Sequence, residues 1–204
     1  NSDCQAGFCV DHMGEGVCTQ LCQEECPPGW TCQQMGAGPD LLFACISKVA
    51  NLCRPCATGT DCKGLGGAED SCLNYGSEGS FCGGACVEDS DCPWGFSCGA
   101  TVTVDGISTV QCVADAGICP CTSKSAQLGL WTPCEVTNEF GSCPGKRVCS
   151  EAGLDECDAA HPTAELCNGI DDDCDGETDE PVFDDGEWKD LCDDGNDCTK
   201  DFCS

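Results

Sequence analysis

The sequence is poor in the residues that build a large apolar core or a catalytic centre. It contains one Tyr, four Trp, two Met and two His among 204 residues. So few aromatic side chains argue against a single large core. The two histidines, without a GxSxG, HExxH or phosphate-loop motif, give little basis for catalysis. We therefore expect a protein that is not an enzyme.

Positive charge is equally scarce. Lys and Arg total 8 against 37 Asp and Glu, which gives a formal net charge of −29. This balance excludes nucleic acid as a natural partner, because binding to phosphates requires positive charge. No apolar run is long enough to cross a membrane, so we expect no membrane insertion. Residues 151–204 hold 20 of the 37 carboxylates, which suits cation binding in that part of the chain.

Cysteine is the most abundant residue, with 27 copies. Such a composition is typical of a secreted disulfide scaffold, in which each bridge contributes about 2–4 kcal/mol. Zinc or iron–sulfur sites are the alternative, but CxxC occurs once, at Cys53 and Cys56. We expect tandem small disulfide-rich modules with short β-hairpins, irregular loops, little helix and no single large core. The expected location is extracellular or at the cell surface.

The first 119 residues contain an internal repeat of four cysteines. Its complete copies are Cys22–Cys45, Cys56–Cys82 and Cys86–Cys112. Four cysteines allow three connectivities, and our hypothesis is that the first pairs with the third and the second with the fourth. A further copy begins at Cys4, but its first cysteine would precede Asn1. This hypothesis makes Cys9 a candidate unpaired or interchain cysteine, and Cys203 is another.

The clearest strand pattern lies in the third copy. β-Branched residues alternate in Thr101–Val104 and Ile107–Cys112 on either side of the dipeptide Asp105-Gly106. An Asp-Gly pair between alternating segments is a strong signal for a hairpin. We expect Phe43–Ile46 and the segment 81–82 to be edge strands in equivalent hairpins.

Segment 167–180 has the spacing of a calcium loop. Seven of its fourteen residues are Asp or Glu, and none is Lys or Arg. Asp171, Asp173 and Asp175 alternate, and Gly176 follows where such a loop turns sharply. Alternate residues of a tight loop direct their oxygens at one centre, and Ca²⁺ takes about six to eight oxygens. The pattern departs from an EF-hand because Val182 stands where the bidentate Glu is expected.

The pattern predicts a Ca²⁺ site, with Glu180 as the candidate replacement for the missing Glu. The predicted ligands are Asp171, Asp173, Asp175, the carbonyl of Glu177, Asp179 and Glu180. An ordinary solvated acidic turn is the alternative interpretation. The Asp alternation, the glycine and the flanking cysteines favour the metal site.

Residues Glu165–Glu180, ELCNGIDDDCDGETDE, resemble the metal-binding-motif repeat (CNGxDDDCDGxxDE) of large secreted cysteine-rich proteins of myxobacteria and their relatives. The upstream segment Gly141–Cys149, with Cys157 and Pro162, is similar to the lead-in of these repeats. The resemblance covers roughly residues 134–180. It implies metal binding and secretion but no particular activity.

The segment Leu191–Cys203 resembles the CDDGxxCTxDxC repeats of similar bacterial secreted proteins. A second Ca²⁺ site is a candidate here, and an ordinary Asp-Gly-Asn turn is the alternative. The candidate ligands are Asp193, Asp194, Asn196, Asp197 and Asp201.

These patterns divide the chain into four expected segments. They are an N-terminally incomplete cysteine-rich module (1–55), a second such module (56–120), a metal-motif module (121–180) and the start of a further acidic cysteine-rich module (181–204). Our leading hypothesis is a calcium-binding, disulfide-stabilised structural protein of a filament, rod or surface stalk. Its expected partner is a further copy of itself or further modules of the same polypeptide.

Two other functions remain open from the sequence. The first is an adhesin or ligand-binding module, with contact loops at Gly36–Leu42, Leu65–Ser71 and Ala126–Trp131. The second is a protease inhibitor that presents a basic loop residue, for which the candidates are Arg54, Lys63 and Lys124.

Overall fold

A computed structural model describes residues 4, 8–35, 42–64, 67–184 and 187–189, the last three and 182–184 as backbone only. The strands are β1 Cys9–His12, β2 Glu15–Cys18, β3 Trp30–Met35, β4 Leu42–Ser47, β5 Cys72–Asn74, β6 Ser80–Cys82, β7 Phe96–Val102, β8 Ser108–Ala114, β9 Trp131–Thr137, β10 Ser142–Ser150, β11 Gly153–Leu154, β12 Val182–Asp184 and β13 Glu187–Lys189. The helix α1 spans Ser123–Gln127, and short 3₁₀ turns span Gly59–Cys62, Gly76–Glu78 and Asp89–Asp91.

Antiparallel hairpins make up nearly all of the regular structure. Two-stranded sheets pair β1 with β2, β3 with β4, β5 with β6, β7 with β8 and β12 with β13, and the one three-stranded sheet described has the order β11-β10-β9. The hairpin predicted around Asp105-Gly106 is β7–β8, and Gly106 adopts a φ of 75° at its tip. The predicted edge strands are β4 and β6. The expected fold class is confirmed.

The crossed disulfide pairing is present in all three complete repeat copies. The bridges are Cys22–Cys32, Cys26–Cys45, Cys56–Cys72, Cys62–Cys82, Cys86–Cys98 and Cys92–Cys112. In each hairpin the third and fourth cysteines stand opposite each other, as Cys72 and Cys82 do. Opposed residues project from the same face of a hairpin. Each cysteine therefore bonds to the loop that precedes the hairpin and holds that loop against this face.

The incomplete first copy follows the same rule. Cys9 and Cys18 stand opposite each other in β1–β2, and Cys18 is bridged to Cys4. Cys9 has a free, exposed thiol, in agreement with its prediction as an unpaired cysteine. Cys203 lies outside the described residues.

Contact density divides the chain into two units. Unit 1 comprises residues 1–133 and 147–156, and unit 2 comprises residues 134–146 and 157–204. Unit 1 thus holds the two expected cysteine-rich modules together, whereas the expected segment 121–180 contributes to both units.

Among its described residues, unit 1 contains three small buried clusters in place of one large core. One consists of the half-cystines Cys56, Cys62, Cys72 and Cys82. The second contains Val49, Leu52 and Cys112, and the third contains Cys53, Phe81 and Cys119. The bridge between Cys53 and Cys119 closes a loop of 66 residues. Disulfide sulfur therefore supplies much of the buried apolar material.

The bridges indicate an oxidising compartment for this chain, because such disulfides are rare in a reducing cytosol. Within the described ranges, no helix has the length and apolar character required to cross a membrane.

Candidate metal centre

The acidic loop lies in unit 2 and is attached by disulfides. Cys174, in its middle, is bridged to Cys143 of β10, and Cys167 is also disulfide-bonded. Gly141 allows the β9–β10 turn to approach this loop closely. A Cβ atom on Gly141 would lie 2.0 Å from the Asp173 carbonyl oxygen, which is shorter than any tolerated contact. The lead-in segment therefore positions the acidic loop.

Three alternating aspartates converge as the sequence predicted. Carboxylate oxygens of Asp171, Asp173 and Asp175 lie within 4.8 Å of one another. The Asp175 backbone N–H donates to Oδ1 of Asp173 at 3.0 Å and to Oδ1 of Asp171 at 3.2 Å. Gly176, with a φ of 99°, donates its N–H to Oδ2 of Asp171 at 3.1 Å. These bonds hold three like charges at close range.

A second acidic group shares Asp173 with the first. It consists of Glu165, Asp173 and Glu180, with carboxylate oxygens again within 4.8 Å of one another. Together the two groups contain five carboxylates on a segment of sixteen residues, 165–180. Glu180 had been predicted as the replacement for the missing EF-hand Glu, and the structure places it beside Asp173.

Glu165 organises this loop, although the sequence analysis does not name it among the candidate ligands. It is only 3% exposed. Its Oε1 accepts the backbone N–H groups of Asp172 at 2.6 Å and Asp173 at 2.9 Å, and its Oε2 accepts that of Asp179 at 3.0 Å. The only signal in the sequence was its place at the start of the segment that resembles the metal-binding-motif repeat.

Electrostatics show that the shared site favours the presence of positive charge. Burial is the largest cause that raises the pKa of Asp173. The hydrogen bond from Asp175 N–H lowers that pKa, and the charges of Asp175, Glu165 and Asp171 raise it further. The ionised group is therefore less stable here than in water.

The pKa of Glu180 is also raised. A hydrogen bond from its own backbone N–H lowers its pKa, but desolvation and the charges of Glu165, Asp175 and Asp173 outweigh that bond and raise it. Its Oε2 is buried without a hydrogen-bond partner. A divalent cation would pair with this oxygen and offset the repulsion, so the donor set fits a hard metal ion.

One predicted ligand, Asp179, has its carboxylate outside both acidic groups of the described residues. The carboxylate of Asp179 accepts the backbone N–H groups of Asn168 at 2.8 Å and Gly169 at 3.0 Å, and so it fixes the entry to the loop. The side chain of Glu177 belongs to neither acidic group among the described residues. The role predicted for its main-chain carbonyl stays a prediction. The second candidate site, Asp193, Asp194, Asn196, Asp197 and Asp201, lies outside the described residues.

Close groups of cysteine sulfurs also occur, but they are crossed disulfides. One example is Cys56, Cys62 and Cys82, in which each sulfur is bridged. A metal needs thiolates, and these sulfurs are not thiolates.

No protein-family model, no curated protein and no solved structure matches the chain, so its function must be inferred from its own residues.

Proposed function

We propose that this chain is an extracellular, calcium-binding structural protein in which Ca²⁺ locks the loop 165–180 onto unit 2. The convergence of five carboxylates around Asp173 carries this proposal. The ligands that would hold the ion are Glu165, Asp171, Asp173, Asp175 and Glu180.

Calcium suits this donor set better than other common ions. All five side chains offer oxygen, and neither acidic group contains a His or a thiolate. Zinc would favour nitrogen and sulfur in a tetrahedral arrangement. Magnesium usually takes one or two carboxylates and keeps its waters, whereas calcium accepts many carboxylates in a flexible arrangement.

A structural role fits the way the protein is stabilised. Disulfides and small clusters hold unit 1, and the acidic loop of unit 2 is attached by Cys143–Cys174. Calcium would add a further crosslink, because it would join Glu165 at the start of the loop to Glu180 at its end. Rods, filaments and surface stalks need such rigidity.

Cys9 offers a point of assembly within this proposal. Its equivalents Cys32, Cys72 and Cys98 are all bridged, whereas Cys9 is free and exposed. A cysteine of another copy, or of a further module of the same polypeptide, would complete the bridge. The two thiols would pass two electrons and two protons to a disulfide oxidant, which is reduced to two thiols.

Calcium titration of the metal-free protein by calorimetry tests the proposal. We expect Glu165→Gln to weaken binding at least tenfold. Glu177→Gln is the matched control, because it removes the same charge from the same loop but from neither acidic group. We expect its affinity to stay within twofold of the parent protein. Absence of calcium binding, or equal effects of both variants, would contradict the proposal.

The protease-inhibitor alternative gains no support from the basic residues. The Lys63 amine donates to the carbonyl of Asp70, and Lys124 forms an ion pair with Asp11. Arg54 is half-buried. An inhibitor of a trypsin-like protease would present such a residue freely at the tip of a loop.

A further inference from the structure

Asn168 and Gly169 form the single Asn-Gly dipeptide of the chain. An asparagine followed by glycine deamidates readily, because no Cβ on the second residue hinders attack of its backbone nitrogen on the asparagine side chain. Both residues are exposed in the acidic loop, so water reaches them. Burial therefore gives this dipeptide no protection, and any protection must come from its hydrogen bonds.

Deamidation begins when the backbone nitrogen of Gly169 attacks Cγ of Asn168. The N–Cγ bond forms, the Cγ–Nδ2 bond breaks, and the proton of the Gly169 nitrogen leaves with Nδ2 as ammonia. Water then opens the five-membered ring at either carbonyl and leaves aspartate or isoaspartate at position 168. The attack requires that the nitrogen lose its proton and that Cγ turn to face it.

The structure holds the attacking nitrogen in its protonated form. The Gly169 N–H donates to Oδ1 and Oδ2 of Asp179 at 3.0 and 3.1 Å. Asp179 is itself held, because its backbone N–H donates to Oε2 of the buried Glu165 at 3.0 Å. A carboxylate that accepts an N–H group stabilises the protonated nitrogen and repels the anion that the attack requires. Asp179 therefore suppresses the nucleophile.

The side chain under attack is also held. Oδ1 of Asn168 accepts the N–H group of Ile170 at 2.7 Å, and Nδ2 donates to Oδ2 of Asp172 at 2.9 Å. The same oxygen of Asp172 accepts the backbone N–H of Leu166 at 3.2 Å. Rotation of the amide towards the Gly169 nitrogen would break both bonds of Asn168. The closed loop thus restrains both reacting groups.

We propose that Asn168 is a deamidation site gated by the acidic loop. Asp179 and Asp172 protect it while the loop is closed, and local opening of the loop releases the reaction. The rate then follows the fraction of molecules in which the loop is open. Either product carries a carboxylate where the amide had donated to Asp172, so the modification adds a permanent negative charge to the loop.

Peptide mapping by mass spectrometry measures the reaction. The native protein in calcium is compared with the reduced chain in guanidinium chloride at the same neutral pH. We expect deamidation of Asn168 to be at least tenfold slower in the native protein. Asn138 is the internal reference, because its Oδ1 accepts the N–H of Phe140 at 2.8 Å in a similar turn but Glu139 follows it. Equal rates at Asn168 in the two states would overturn the proposal.

A variant tests the role of Asp179. Asp179→Gly removes both acceptor oxygens and suits the φ of 54° at this position. We expect native deamidation of Asn168 to become at least tenfold faster. Glu177→Gly is the matched control, because it removes a carboxylate and adds the same backbone freedom two residues away, and its rate should stay within twofold of the parent protein. Equal rates in the two variants, or a slower reaction in Asp179→Gly, would overturn the proposal. The comparison of native and unfolded parent protein requires no variant to fold.

The same measurement in EDTA separates this proposal from calcium binding, on which only this arm rests. Protection that is greater in calcium shows that the ion helps to close the loop. Equal protection in both buffers supports a gate that depends on the hydrogen bonds alone, and calorimetry then decides the calcium proposal. Absence of protection in both buffers would overturn the gate, whether or not calcium binds.

Discussion

Glu165→Gln should destabilise unit 2 far more in calcium than in its absence. The glutamine keeps one oxygen but places an NH₂ group at the other carboxylate position. At least one of the N–H groups that Glu165 accepts, from Asp172, Asp173 and Asp179, then loses its acceptor. An unsatisfied buried donor costs about 1–3 kcal/mol.

In EDTA this cost is largely offset. Removing the charge of Glu165 relieves its repulsion with Asp173 and Glu180, whose oxygens lie within 4.8 Å. Each such pair is worth about 1 kcal/mol even with water-like screening. The expected change in unfolding free energy in EDTA is therefore small, between a gain and a loss of about 1 kcal/mol.

In calcium the loss of affinity adds to the cost found in EDTA, because the ion stabilises only the folded loop. A tenfold loss of affinity removes about a further 1.4 kcal/mol of binding stabilisation. We therefore expect Glu165→Gln to cost about 0.4–2.4 kcal/mol in calcium, about 1.4 kcal/mol more than in EDTA.

Amide hydrogen exchange of residues 157–180 measures this difference within unit 2. For the matched variant Glu177→Gln, the difference in stability from the parent protein should be nearly the same with and without calcium. Equal destabilisation by Glu165→Gln in EDTA and in calcium would refute the reasoning, because it would assign Glu165 a purely local hydrogen-bonding role.

Three other predictions concern unit 1. Burial raises the pKa of Asp70 from 3.8 to about 6, so the folded state binds this proton more tightly than the unfolded chain does, and ionisation destabilises the fold. The contribution of Asp70 to the free energy of unfolding is therefore full below pH 3.8 and falls by about 3 kcal/mol as the pH rises through 6. Asp70→Asn should remove this fall in denaturation curves followed through Tyr75, the single tyrosine. An unchanged pH profile in the variant would contradict the prediction. Gly79→Ala should lower the free energy of unfolding by about 2–4 kcal/mol, because φ is 107° and the new Cβ would lie 2.5 Å from Thr132. Gly106→Ala, where φ is also positive but the space is open, should cost about 1–2 kcal/mol in the same denaturation curves. Equal costs for the two variants would refute the steric explanation. Iodoacetamide should label Cys9 in the native protein and leave the other described cysteines unmodified in a peptide map, and labelling at any of those would contradict the disulfide assignment.

The repeat made the local disulfides predictable. Cysteine spacing recurs in each copy, and a hairpin places its third and fourth cysteines opposite each other, so one pairing rule covers every copy. The Cys53–Cys119 bridge was not predictable in this way, because its partners are 66 residues apart and their contact depends on packing within unit 1.

The metal centre was predictable only in part. Asp171, Asp173 and Asp175 were predictable from the sequence, because their alternation is a local property of the loop. Glu165 and Glu180 come together only when the two ends of the segment meet. Asp179 has the spacing of a ligand, but its carboxylate accepts the N–H groups of Asn168 and Gly169 and lies in neither acidic group of the described residues.

Asp173→Asn is the most direct variant for the central claim, since Asp173 belongs to both acidic groups. The measurement is calcium bound per chain, by elemental analysis after equilibrium dialysis, for the parent protein and this variant. The account predicts that the variant holds one calcium ion fewer than the parent protein. The same amount of bound calcium in both proteins, or none in the parent, would contradict calcium binding at this loop.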